Sequence, residues 1–240
     1  MARVSATEHA DEARLRAALV AAGRRLGDRG LISAGEGNLS IRLPGERLLV
    51  TPAGRRKDEL APDDLVIVEL AGGDRVRVGD EASRGLRPTS DLAIHRAVLA
   101  ARPDATSVAH AHLPATMALT LAGEAPDPGT LPETALLLPR LSVLAFGEPG
   151  SPDLARRIAA ALTEPPEPYP GALILERHGA VAVGGPGASG ADAGSDPTER
   201  AIAGLAQAVD RLELIEVLSR AWRDMILVRA ARAGGYPSRP

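Results

Sequence analysis

The chain has 240 residues, a formal net charge of −3, and ordinary globular proportions of 45% hydrophobic and 25% charged residues. It contains no cysteine, which excludes disulfides, thiolate metal sites and a cysteine nucleophile together. The slightly negative balance gives no reason to expect nucleic acid or an anionic membrane as a partner, and four aromatic residues are too few for a base-stacking platform. Its length suits one sizeable α/β domain. The start, "MARVSATEHADEARLR", lacks the apolar core of a secretory signal, and no stretch approaches the ~20 apolar residues that span a bilayer. A cytoplasmic protein is the expectation.

In chain order, Ser5 and Glu8 predict a capping box ahead of a helix over 7–28, whose apolar stripe is Leu15, Ala18, Leu19, Ala22 and Leu26. "GEGNLSIRL" and "RLLVTPAG" read as two strands joined by a turn at Pro44-Gly45, and "DDLVIVEL", "AGGD" and "RVRVG" as a further hairpin. "PTSDLAIHRAVLAA" predicts a helix with Ser90 as N-cap and Asp91 in the first turn, where a carboxylate suits the helix dipole. "TSVAHAH" is a strand, followed by a short helix from Pro114. "SPDLARRIAAAL" starts a helix with serine at N-cap and proline at N1. "ALILERHGAVAVGG" gives two strands broken at His178-Gly179. Residues 186–198 read as a flexible insertion, about 198–233 as a long amphipathic helix, and 234–240 as a loose tail. Strands and flanking helices mixed in this way predict a single α/β or α+β layered domain over 1–240.

Chemistry concentrates on the histidines. His110 and His112 sit at i and i+2 at the end of the "SVAHA" strand, so their imidazoles project to one side and offer a metal two nitrogen ligands. His178, before a glycine that permits a sharp turn, is the best candidate for a third ligand. Three imidazoles and an open position form the kind of zinc site that polarises a substrate oxygen. Histidine pairs at this spacing also arise by chance, and spacing alone leaves metal binding open. His9 and His95 read as bland, the latter as a packing or surface residue on a helix. Asp91 is either a proton carrier beside the metal or an ordinary acid at a helix N-terminus. The glycines and hydroxyls of "EGNLS", "TPAG" and "RPTS" are either a nest of backbone N–H groups for an anion or ordinary turns. Lys57 is the only lysine, and in the polar run "GRRKDEL" it is a poor candidate for a Schiff base, which needs a desolvated amine.

Taken together and in order, "GNLSIRL", "LLVTPAGRRKDEL", "RPTSDLAIH", "VAHAH" and "LERHGAVAVG" resemble the class II aldolase/adducin family, over about residues 10–230. The resemblance implies a single three-layer αβα domain with a mostly antiparallel central sheet. It implies that His110, His112 and His178 bind zinc or another divalent transition metal. Asn38, Ala53, Gly54, Thr89 and Ser90 would form the pocket for a substrate phosphate, and Asp91 would be catalytic. The family's fuculose phosphate aldolases have a glutamate where Asp91 stands, and its epimerases an aspartate. Thr89 replaces the usual serine, and the 186–198 segment is longer than the family's turn. Tyr236 would match a tyrosine that the aldolases carry on a mobile tail, and Glu133 lies in a segment that lines the site in some relatives. The implied activity is a zinc-dependent aldolase that cleaves or forms a carbon–carbon bond in a phosphorylated ketose through a metal-stabilised enediolate, in a homotetramer. Epimerisation, decarboxylation or dehydration of a related sugar phosphate uses the same enediolate. Adducin head domains, which keep the fold as an interaction module, give a non-catalytic alternative.

Overall fold

The computed structural model describes residues 6–72, 85–185 and 196–234. Helix α1 (Ala6–Asp28) leads into the hairpin β1 (Asn38–Leu43) and β2 (Arg47–Val50), and β3 (Val66–Glu69) follows. Then come α2 (Leu92–Ala101), β4 (Ser107–Ala111), α3 (Pro114–Leu121), α4 (Pro132–Leu137), β5 (Leu141–Leu144), α5 (Pro152–Ala161), β6 (Ala172–Leu175), β7 (Gly179–Gly184) and the 37-residue α6 (Pro197–Ala233). Among the described residues the strands form one seven-stranded sheet in the order β3-β2-β1-β4-β7-β6-β5. Every pairing is antiparallel except β5 with β6, which is parallel. The expectation of a mostly antiparallel sheet therefore holds, with one parallel edge.

Each face of the sheet has its own apolar core, which makes the fold three-layered. On one face Leu15, Leu19 and Leu26 of α1 and Leu205, Leu212 and Ile215 of α6 meet Leu39, Ile41, Ala109, Ala111, Ala180 and Ala182. Alanines on the two central strands let α6 lie close against them. On the other face Ile94, Val98 and Leu99 of α2 and Leu154 and Ile158 of α5 cover Val50, Val108, Val181 and Val183. Each fully buried Leu, Ile or Val there contributes roughly 1.5–3 kcal/mol. Ser151 caps α5 by accepting from Leu154 N at 3.2 Å, with Pro152 opening the helix as its sequence predicts. The strands predicted at β1, β2, β4, β6 and β7 are also present, and β4, β6 and β7 are buried along their whole length because both faces of the sheet are covered.

Several expectations differ from the structure. α2 begins one residue later than predicted: Asp91 occupies the N-cap position, its side chain makes no capping bond, and Ser90 is exposed ahead of it. α4 and β5 appear where the sequence pattern gave no element. α4 is a single turn and a half that opens at a proline, and β5 is a short edge strand, so neither carries a readable period. Ser5 of the predicted capping box, the "RVRVG" half of the second hairpin, most of the 186–198 segment and Tyr236 lie outside the described residues. Among the described residues no helix is long and apolar enough to cross a membrane.

Candidate metal centre and its cavity

Antiparallel pairing brings the functional segments to one end of the sheet. Asn38 of β1 lies opposite His110 of β4, and His110 lies opposite Val181 of β7. Directly paired residues share a face, so Asn38 and His110 project toward α2. His112 follows β4 by one residue, and His178 immediately precedes β7. The three imidazoles converge, with ring centroids 4.8–5.0 Å apart and one potential ligand nitrogen from each within 4.8 Å of the others.

Backbone geometry makes this convergence possible. Gly179 has φ +107°, a region that L side chains rarely adopt, and a Cβ there would stand 2.8 Å from His112 Cα and closer still to the Ala111 carbonyl oxygen. Only glycine lets the turn into β7 press His178 onto the end of β4. On the other side, Gly37 (φ +68°) sits where a Cβ would be 2.6 Å from Ile32 Cγ2 and 3.0 Å from the His110 carbonyl. Beyond His112, α3 is pinned by Glu216 of α6, 2% exposed. Its carboxylate accepts from Ala115 N (3.1 Å) and Thr116 N (3.2 Å), donors that the first turn of a helix leaves unpaired.

The histidine group passes a simple test of fitness for a cation. His110 is fully buried, and its Nδ1–H donates to the Ala180 carbonyl at 2.9 Å, which leaves the lone pair on Nε2. Among the described residues, His110 Nε2 and His178 Nδ1 are both buried without a hydrogen-bond partner. Buried polar atoms are seldom left so, and a cation would give such a lone pair its partner. Burial, and then the neighbouring His178 and His112, push the His110 imidazole down to about 3, so it is neutral and able to ligate at ordinary pH. Burial lowers His178 as well, helped by His112. His112 Nδ1 lies 3.5 Å from Glu36 Oε1, the carboxylate being held by Ser33 Oγ–H at 2.7 Å. All-imidazole donors suit a first-row transition metal rather than magnesium or calcium.

Asp91 belongs to a buried polar chain rather than to a helix cap. Asn38 Nδ2–H donates to Asp91 Oδ2 (2.8 Å), His95 Nε2–H donates to Asn38 Oδ1 (2.7 Å), and Ser40 Oγ–H donates to His95 Nδ1 (2.7 Å). Burial pushes the His95 imidazole down, to about 4, against the pull of Asp91, and in the neutral ring Nε2–H faces Asn38 while Nδ1 accepts from Ser40. Burial raises the Asp91 carboxyl, but His110 and the Asn38 amide outweigh it and hold the group below the usual carboxylate value. Asp91 is thus an ionised, positioned base beside the histidines.

Asn38, Ala53, Gly54, Thr89, Ser90, Asp91, His112 and His178 line one cavity of about 320 Å³. The structure therefore gathers every predicted site residue among those described except His110, which lies buried beneath it, and Glu133, which is exposed on α4 and does not line it. Two residues read otherwise from sequence belong here. His95 is fully buried and locks Asn38, and the signal for it was available: it stands four residues after Asp91, on the same helix face. Lys57, read as part of an exposed polar run, is 2% exposed and lines the cavity. Its burial follows from tertiary packing that a local polar pattern does not reveal.

The same segments carry the similarity to known proteins. The family described as Class II Aldolase and Adducin N-terminal domain matches residues 17–193. The methylthioribulose-1-phosphate dehydratase of Methylococcus capsulatus is 34% identical over 47% of this chain, which spans 52% of that protein, about half its length. The 5-methylthioribulose-1-phosphate/5-deoxyribulose-1-phosphate aldolase of Rhodospirillum rubrum is 31% identical over 71% of each chain. Among solved structures, the L-fuculose-1-phosphate aldolase of Thermus thermophilus superposes with a TM-score of 0.69 at 28% identity, over 94% of this chain and 99% of the other. With the pattern running from α1 through β7 and the fold shared throughout, the chain belongs to the class II aldolase and adducin N-terminal domain family.

Proposed function

We propose that this protein is a zinc-dependent aldolase that cleaves or forms a carbon–carbon bond in a phosphorylated ketose, working in the cytoplasm as a homotetramer. The observation that carries the reading is the pairing of an ionised, immobilised carboxylate, Asp91, with three convergent imidazoles at and beneath the wall of one cavity. Held by His110, His112 and His178, a zinc ion would supply Lewis-acid polarisation of the ketose carbonyl and stabilise the negative charge that develops in the reaction.

The chain's own groups do the rest. The Asn38 side of the cavity, Ala53-Gly54 and Thr89-Ser90 bind the phosphate and so fix the reacting carbons beside Asp91. In the cleavage direction the bond between C3 and C4 of the ketose breaks, and the C4 hydroxyl passes its proton to the Asp91 carboxylate as the aldehyde forms. The electron pair stays on the three-carbon fragment as an enediolate, and C3 then takes a proton from Asp91. Asn38 holds one oxygen of that carboxylate so that the proton moves along a fixed line, and His95 and Ser40 hold Asn38. In synthesis the same carboxylate removes the C3 proton.

A second reading is favoured by the similarity to a protein named a dehydratase. There Asp91 would remove the proton next to the carbonyl, and the neighbouring carbon would lose its hydroxyl as water. Incubating metal-loaded protein with a panel of ketose 1-phosphates separates the two. Dihydroxyacetone phosphate plus an aldehyde is expected, whereas water loss without fragmentation would replace the aldolase reading with the dehydratase one. A protein that binds no metal and turns over nothing in the panel would favour the non-catalytic module.

A further inference from the structure

We propose that Lys57 is the charge-selecting residue of the anion pocket, the group that makes this cavity take a phosphate dianion. The inference rests on the reading of that cavity as a phosphate site and goes beyond it, because the hydroxyls and backbone amides named above carry no formal charge.

Lys57 is a buried cation with no carboxylate bonded to it among the described residues. Its Nζ donates to the carbonyl oxygens of Gly35 (2.5 Å) and Arg55 (2.8 Å). Those carbonyls belong to the two segments that bracket the proposed phosphate cradle, one leading into Gly37-Asn38 and the other leaving Ala53-Gly54. An ammonium has three N–H donors, and two of them are used in tying these segments together. Lys57 is 2% exposed, yet it contributes to the cavity wall. Its neighbours Arg56, Asp58 and Glu59 pair with one another instead, Arg56 lying 2.7 Å from each carboxylate. Burial lowers the ammonium's pKa, and Asp91 is the acid that pulls it back up.

A charge removed from water without a counter-ion is costly. Two carbonyl dipoles and the field of the unbonded Asp91 carboxylate offset part of that cost, and a ligand anion in the adjoining cavity would offset more of it. The position also rules out a merely general role. A neutral nest of amides and hydroxyls accepts a carboxylate, a sulfate or a phosphate alike, whereas a fixed cation favours the more highly charged of them.

The test uses zinc-loaded full-length protein and inorganic phosphate as the probe, with binding measured by calorimetry and sulfate and acetate run alongside. Lys57→Arg and Lys57→Gln are compared with the unchanged chain, and metal affinity is measured in each by chelator competition. The expected result is that phosphate binds more tightly than sulfate or acetate, that Lys57→Gln loses about tenfold or more in phosphate affinity, and that Lys57→Arg recovers part of it, with metal affinity unchanged. A merely structural staple would instead weaken phosphate, acetate and metal binding together, and that pattern overturns the proposal. Equal phosphate affinity in Lys57→Gln and the unchanged chain also overturns it while leaving the phosphate cradle standing. If the unchanged chain binds no phosphate, and Ser90→Ala alters nothing, the cradle reading itself falls, and Lys57 with it.

Discussion

Replacing Gly179 by alanine tests whether the histidine group depends on one backbone approach. The added Cβ would lie 2.8 Å from His112 Cα, whereas unbonded carbon atoms rest at about 3.5–4.0 Å. Both atoms are fixed to backbone, so no side chain can rotate away, and the start of β7 must retreat from the end of β4 by about 1 Å. The φ of +107° adds strain of roughly 1–2 kcal/mol for a residue with a Cβ. Together with disruption of the ladder at Ala111 and Ala180, this predicts destabilisation of about 2–4 kcal/mol. The same retreat carries His178 away from His110 and His112, so metal affinity should fall about tenfold or more. Urea denaturation of the metal-free protein measures the first effect, and competition with a chromophoric chelator the second. Unchanged stability with unchanged metal affinity would refute the reasoning, since it would mean the turn can form without the close approach.

Other outcomes follow from the same geometry. His95 is neutral in the fold down to about pH 4 but takes a proton at about 6.5 when unfolded, so stability is full above 6.5 and falls as pH drops toward 4. That difference amounts to roughly 3 kcal/mol in metal-free protein, and His95→Asn should lack this portion of the pH dependence; identical pH profiles would count against the buried, neutral imidazole. Asn38→Leu removes the amide that holds Asp91, so catalysis should fall at least about tenfold, with metal content retained and the optimum moved to higher pH as the Asp91 carboxyl rises; a lost metal would instead show that Asn38 is needed to build the site. Glu216→Ala leaves the first N–H groups of α3 buried and unpaired, at a cost of about 2–4 kcal/mol by thermal or chemical denaturation. Stripping the metal with a chelator should abolish turnover and lower the melting temperature, and zinc should restore both; turnover that survives complete stripping would remove the metal from the proposed reaction.

Much of this molecule is legible in its residues. Period and capping signals mark α1, α2, α5 and α6, because each buries one apolar stripe and the stripe repeats with the helix. Alternation marks β1 and β4, and it puts His110 and His112 on one side before any coordinates are known, while an unbroken apolar run marks β7. The Gly after His178 likewise announces a turn. What the linear pattern cannot carry is which segments meet. That Asn38, Asp91 and His95 form one hydrogen-bonded chain depends on the register that sets Asn38 against His110 and on α2 packing over that face. Lys57 reads as solvated among its charged neighbours, yet the fold turns its side chain inward between two loops while Arg56 and Glu59 are exposed and Asp58 is half-buried. Local sequence determines which elements form because backbone period and side-chain polarity act over a few residues. The site was decided only in three dimensions, where antiparallel pairing and two glycine-permitted close approaches bring residues from 38 to 178 onto a single cavity.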